Sequence, residues 1–315
     1  MWRKIVIIIA VILVLAGLGF VLFAPVSNFV GSQVSKGQTE KFDRLIENVV
    51  TEEQAEQEGK AATYKEAREK GEIDSEGYLI ETSTGRRISS YPVVYELDLD
   101  RLYRDSVAYN EDLKENQGSK FREDESNDVP VLDLRDYGLF DGIYGYISAP
   151  TIGMYLPIYL GASDANMSYG AAHMSYTSLP LGGARTNSVA AGHTGYIGRI
   201  FFDNIRYLDY GDKIFVKNFW YSMTYKVVDK QIYRPDESQA IFLDKDRDLF
   251  TMFTCVVGED GNSMRYFVIC ERDEEEQTQP PTTVPATQPV TVPGLTEEAS
   301  QGYEAEETTE EVPAE

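Results

Sequence analysis

The longest uninterrupted apolar run lies near the amino end, Ile5 to Ala24, with Arg3 and Lys4 just before it. About 20 residues rising 1.5 Å each span a bilayer core of about 30 Å. A cleaved leader carries roughly 7–15 apolar residues and a small-x-small cleavage site, so this longer run without such a site reads as a retained anchor. The two basic residues would keep the amino terminus cytoplasmic and put everything from Pro25 onward outside. Beyond the run, helical spacing takes over. In KFDRLIENVV, Phe42, Leu45, Ile46 and Val49 recur every three or four residues and make one apolar stripe. The charge-rich run 52–72 that follows has few large apolar groups and reads as a solvated spacer. A second helical stretch, LDLDRLYRDSVAYNEDL, offers Leu97, Leu102, Val107, Ala108 and Leu113 to one face.

After the turn-like DYGLFDG, short runs rich in β-branched and aromatic residues replace the helical pattern. GIYGYISAP, IGMYLPIYLG, NSVAAGH, DKIFVKNF, MTYKVVDKQIY, DLFTMFTCVV and MRYFVICER read as strands, separated by turn residues such as Asp260-Gly261. Seven strands in about 130 residues predict a mainly β barrel or sandwich. Helical insertions are expected near 164–173 and 200–208. From 273 the chain is rich in Pro, Thr and acid, and such a segment cannot bury enough apolar area to offset its ordering entropy. The expected organisation is an anchor over 1–25, a helical stalk and possible lid over 26–131, a barrel over 132–272 and a disordered tail over 273–315.

Charge and composition narrow the chemistry. The net charge of −23 argues against nucleic acid as a partner, since phosphate binding needs the opposite sign. There are two cysteines, Cys255 and Cys270, and two histidines, His173 and His193, with no C-x₂-C or H-x₃-H pair. No metal site is expected from them.

Cys255 sits near the end of an apolar strand, before the Gly-containing turn VGEDGNS, where a ligand can reach a thiol. Cys270, in RYFVICER, reads as packing. In an outward-facing domain the two could also pair with each other. A hairpin turning at Asp260-Gly261 sets Cys255 opposite residue 265 or 266 and Cys270 opposite about 250 to 252, beyond the roughly 7 Å Cα limit for bridging. A turn at Asn262-Ser263 would bring them together. The first register also places Arg265 beside Cys255, where a permanent cation favours thiolate and can hold an oxyanion. His193 ends its own strand beside Thr194-Gly195, a position suited to an acid/base. His173 is expected to be structural, in a loop after a helix.

The order His…Cys…Arg, with FTMFTC similar to a Thr-Leu-x-Thr-Cys signature and Arg265 ten residues further on, resembles the sortases. The likeness extends to GIYGYISAPTIGMYLPIYLGAS, similar to the family's first two barrel strands, and to AAGHTG, similar to its histidine segment. GAAHMSYTSLPLGG and GNSMRYFVICER resemble segments of the pilin-assembling group called class C. Together these cover about residues 132–272. The resemblance implies an eight-stranded β-barrel with short helices, preceded by a transmembrane helix and a helical or lid segment. It implies a cysteine transpeptidase that needs no cofactor. Cys255 would attack the Thr–Gly bond of a Leu-Pro-x-Thr-Gly-like sorting signal, His193 would serve as acid/base, Arg265 would clamp the oxyanion, and Thr254 and Thr194 would line the substrate site. The partners implied are surface proteins or pilins with a carboxy-terminal sorting signal, and an amine acceptor, either a pilin lysine or a cell-wall precursor. The implied location is a Gram-positive-type cell membrane, crossed once, with the catalytic domain outside. Wall anchoring by a housekeeping-type sortase, a cysteine protease and a non-catalytic surface adaptor are the other readings. Met252 stands in place of the signature Leu, a volume-conserving change. Residues 119–140 occupy the lid's place without an Asp-Pro-aromatic tripeptide, and no second apolar span is seen.

Overall fold

The computed structural model describes residues 2–47, 66–67, 69–74, 78–88, 98–123, 128–196, 198–237, 239–258 and 261–273. The expected tail beyond Asp273, Val49, Leu97 and most of the charged run 52–72 lie outside the described residues, and Asp273 itself is buried and paired with Lys226.

Helix α1 (Trp2–Glu47) carries the apolar run and continues past it, with Pro25 inside the helix one residue beyond Ala24. It is long and apolar enough to cross a membrane. Its second half lies along the barrel. Gly31, Ser35, Thr39 and Phe42 are buried at three- and four-residue spacing, so small side chains let the helix approach closely before a large one locks it. The Phe42 ring lies 4.7 Å from that of Phe219 and edge-on to Tyr146 at 6.0 Å. Asp43 accepts from Lys217 Nζ at 2.6 Å and from the Tyr146 hydroxyl at 3.3 Å.

A two-stranded ribbon, β1 (Ile80–Glu81) and β2 (Arg86–Arg87), precedes helix α2 (Leu99–Glu123). The buried stripe of α2 is more polar than its expected leucine face. Leu102 and Leu113 are buried as expected, but between and beyond them lie Ser106, Asn110 and Gln117. Asn110 exchanges both amide hydrogen bonds with the backbone of Leu179, and Gln117 bridges Tyr176, Ile241 and Leu243. These amides satisfy backbone groups of the barrel loops at Tyr176, Leu179, Ile241 and Leu243, which is why polar residues occupy the docking face.

Eight strands then close a barrel: β3 (Ile143–Ala149), β4 (Met154–Leu160), β5 (Ala171–His173), β6 (Thr186–Ala191), β7 (Lys213–Asn218), β8 (Ser222–Tyr233), β9 (Asp248–Val257) and β10 (Ser263–Arg272). Their order around the barrel is β10-β8-β7-β3-β4-β5-β6-β9. All seven strands expected from the pattern form. The eighth, β5, lies where a helix was expected; only Asp164–Met167, α3, is helical there. Three residues of Ala-Ala-His have no periodicity of their own, and pairing with β4 and β6 on either side makes them a strand. Near 200–208 one short 3₁₀ turn forms, Ile205–Tyr207.

Alternation along the strands fills the barrel with Ile147, Leu156, Ile158, Val216, Met223, Phe250, Met252 and Val268. A second buried cluster joins α1 and α2 to the barrel through Phe42, Leu102, Tyr144, Phe219 and Trp220. A third, smaller one lies on the outer surface of β6, β9 and β10, where Val189, Ala191, Phe253 and Phe267 are covered by Ile241.

Candidate active site

Strands β6, β9 and β10 are adjacent and carry the candidate residues. In the β9–β10 hairpin Arg265 pairs directly with Cys255 and Cys270 with Phe250. Directly opposed residues share a face, with Cβ atoms about 4.5–5.5 Å apart. Strand β6 runs parallel to β9, with Ala191 beside Phe253. The ladder continues one bond further, from the Gly192 N–H to the Phe253 carbonyl at 3.2 Å. Two positions past Ala191 is His193, and two past Phe253 is Cys255. The register therefore brings His193, Cys255 and Arg265 side by side.

All three lie on the outer surface. Phe250 and Met252 point into the barrel, whereas Phe253, Ala191 and Phe267 belong to the outer cluster. Each candidate lies two residues from one of these along its strand: His193 after Ala191, Cys255 after Phe253, and Arg265 before Phe267. Cys255 is exposed, and His193 and Arg265 are half-buried. The Arg265 guanidinium sits 5.3 Å from the Phe253 ring centroid, so the outer cluster is its floor. Both thiols are free. Cys270 points into the core five ladder positions from Cys255, which excludes the disulfide, and burial pushes its thiol far above the ordinary range.

The described residues of 128–140 pack at the opposite end of the barrel from Cys255. The Val129 carbonyl accepts from Ser175, and the backbone of Asp128 and Pro130 lies against Gly161, just past β4.

The segment after β6 is tied down at several points. The His193 carbonyl accepts from the Phe202 N–H at 3.0 Å, and a Cβ on Gly192 would meet the Phe202 ring at 2.6 Å. The Asp203 carboxylate accepts from the Gly195 and Phe201 N–H groups at 2.7 and 3.1 Å. Tyr196 stacks on the His193 ring at 5.6 Å with an interplanar angle of 11°. Neither Tyr196 nor Asp203 stood out in the sequence, since both act through a loop whose path no periodicity fixes.

Thr254 is buried on the face opposite Cys255. Its hydroxyl donates to the Gly192 carbonyl at 2.7 Å and therefore accepts from Thr194, also at 2.7 Å. The pair clamps the residues on both sides of His193, and Thr194 itself is exposed. Replacing Thr254 by valine keeps the shape and removes both bonds. The expected result is a stability loss of about 1–2 kcal/mol, because a buried carbonyl is orphaned. Turnover is expected to fall on the order of tenfold as His193 shifts. Thermal unfolding and steady-state rates check the two effects separately.

His173 is fully buried and lies in a strand rather than the expected loop. Its Nε2–H donates to the Ser178 carbonyl at 2.9 Å. Burial holds its pKa down at about 4, against an ordinary 6.5, while the Ser178 and Thr177 contacts oppose that shift. The folded chain thus refuses a proton that the unfolded chain accepts below pH 6.5. Stability present above that pH is expected to fall by about 3 kcal/mol as pH drops towards 4. Denaturation of His173→Gln across that window should show a correspondingly flatter pH dependence, and an unchanged slope would place the effect elsewhere.

Residues 147–273 match the sortase domain family model. Sortase A of Bacillus anthracis is 30% identical over 126 residues, which are 40% of this chain and 58% of that protein, so the match spans less than two thirds of the relative. The solved sortase C-1 of Actinomyces oris is 30% identical, the match covering 56% of this chain and 98% of that one with a TM-score of 0.44. Sortase C of Clostridium perfringens, solved with the C-terminal cell wall sorting motif, is 30% identical over 56% of this chain and 90% of that one, with a TM-score of 0.45. Residues 147–273 of this chain, within its closed eight-stranded barrel, are a sortase domain.

Proposed function

We propose that this chain is a membrane-anchored cysteine transpeptidase that cuts a Leu-Pro-x-Thr-Gly-like sorting signal between Thr and Gly. The observation that carries this reading is the register of β6, β9 and β10, which sets His193, Cys255 and Arg265 in a row on one open face. As thiolate, Cys255 Sγ attacks the threonine carbonyl carbon, and the negative charge that develops on oxygen is held by Arg265. The C–N bond breaks, the electron pair leaves with the glycine nitrogen, and His193 protonates it. An incoming amine then gives its proton to His193, attacks the thioester and expels the thiolate. The acceptor we assign is a pilin lysine, which makes the reaction pilus polymerisation on the outer face of a Gram-positive-type membrane.

The test uses the full chain in detergent micelles with a quenched Leu-Pro-x-Thr-Gly peptide. Product analysis compares no amine, a lysine-bearing pilin peptide and a cell-wall precursor amine. Capture of the acyl group by the lysine peptide is expected. Cleavage that no amine diverts would mean a protease, preferential capture by the wall precursor would mean anchoring, and binding without cleavage would mean an adaptor.

A further inference from the structure

Where α1 touches the barrel fixes which end of the barrel faces the membrane. Residues 38–43 reach Tyr159, Tyr146 and Lys217 along the barrel wall. Closer to the apolar run, Ser27 and Gly31 contact the loop that follows His193. A Cβ on Gly31 would meet the Gly198 carbonyl at 2.4 Å and Arg199 at 2.7 Å, and one on Gly198 would meet Ser27 Oγ at 2.8 Å. Two glycines thus let helix and loop approach to backbone contact, closer than any side chain permits.

Ser27 and Gly31 lie three and seven residues beyond Ala24, about 5 and 11 Å along the helix. The headgroup layer adds roughly 5–8 Å to each side of the hydrocarbon core. The part of the loop after His193 that meets Ser27 therefore sits at headgroup depth, with the Gly31 contact and the start of β4 at the outer edge of that layer. The groups exposed there suit that layer: Tyr155 and Ile200 remain 37% and 41% exposed, with Tyr196 close by. Between this rim and α1 runs a cleft of about 600 Å³, flanked by Phe29, Tyr155 and Ile200. Among the described residues Lys36 is the one charged lining residue, about 18 Å along the helix from Ala24 and so at the end of the cleft away from the apolar run.

We propose that the active-site rim of the barrel is a membrane-contact surface, seated against the headgroup layer of the bilayer that α1 crosses, with phospholipid headgroups entering the end of the cleft nearest the apolar run, beside Asn28 and Phe29. This rests on the reading of α1 as a membrane anchor. The Gly31–Gly198 contact holds the rim at that depth, and the sorting signal meets Cys255 close to the bilayer surface.

Site-directed spin labelling tests it with the full chain, carrying Cys255→Ala so that no other exposed thiol reacts, in vesicles of phosphatidylcholine and phosphatidylglycerol. Single cysteines replace Leu13 in the apolar run, Tyr155 and Ile200 on the rim, and exposed Val129 at the opposite end. Oxygen and a water-soluble nickel relaxant report depth, and thermal unfolding confirms that each labelled barrel is intact. A label at 13 in hydrocarbon, labels at 155 and 200 at headgroup depth and a label at 129 in water are expected. Labels at 155 and 200 as water-exposed as that at 129, with 13 still in hydrocarbon, would overturn the proposal alone. A water-exposed label at 13 would instead remove the anchor reading and the proposal with it. Gly31→Leu is expected to move the label at 200 towards water, and an unchanged depth would overturn the role given to the glycine contact.

Discussion

Cys255→Ala is expected to abolish turnover of a sorting-signal peptide, by at least roughly 10³-fold, while leaving the fold intact. The thiol is exposed on the outer surface and packs into no core cluster, so its loss creates no cavity. Removing it also removes the covalent intermediate, and mass spectrometry of the wild-type chain with peptide should show an acyl adduct that the variant lacks. Cys270→Ala provides the contrast. That thiol is fully buried among Phe250, Val268 and Val227, so its loss should lower the unfolding temperature and leave the acyl adduct in place. Substantial activity in Cys255→Ala would move the nucleophile to another residue.

The second large effect is expected at Arg265. Its loss should lower kcat/KM on the order of 10²- to 10³-fold, the usual effect of removing one preorganised donor from a developing oxyanion. Arg265→Lys tests geometry separately from charge. The guanidinium lies over the Phe253 ring and presents a planar fork, whereas an ammonium is a compact point charge on a flexible stem. Lysine is therefore expected to restore little of the activity. Full rescue by lysine would mean that Arg265 acts through its charge alone.

The hairpin was readable because it is local. Asp260-Gly261 marked the turn, and counting outward from it set Cys255 opposite residue 265 or 266, of which the ladder takes 265. His193 was harder: its place beside Cys255 depends on a parallel pairing between β6 and β9, which alternation does not encode, and the motif resemblance filled that gap. What pattern reading missed has a common cause. Strand β5 has too few residues to carry a period, and its pairing comes from the strands on both sides. The docking stripe of α2 uses Ser106, Asn110 and Gln117, which the expected leucine face left out, because the backbone groups of Tyr176, Leu179, Ile241 and Leu243 that the two amides bond lie far away in sequence. Tyr196 and Asp203 act within a loop, where spacing says nothing about which residues converge. Thr254 was expected to line the substrate site, whereas its buried hydroxyl faces Gly192 and Thr194, and only the side-chain network reveals that clamp.

The parallel pairing of β6 with β9 also bears on how the protein comes into being. Cys255 and Arg265 are ten positions apart and meet as soon as one hairpin forms, but His193 joins them only when strands about 60 residues apart in sequence pair. Such non-local pairing is slow, because loop-closure entropy is lost before contacts compensate for it. A chain in which β6 and β9 have not yet paired therefore carries the thiol and the arginine without the histidine. On the proposed reading, reactivity towards a peptide bond waits for that pairing, so a copy in which β6 and β9 have not met is expected to be chemically silent towards its neighbours.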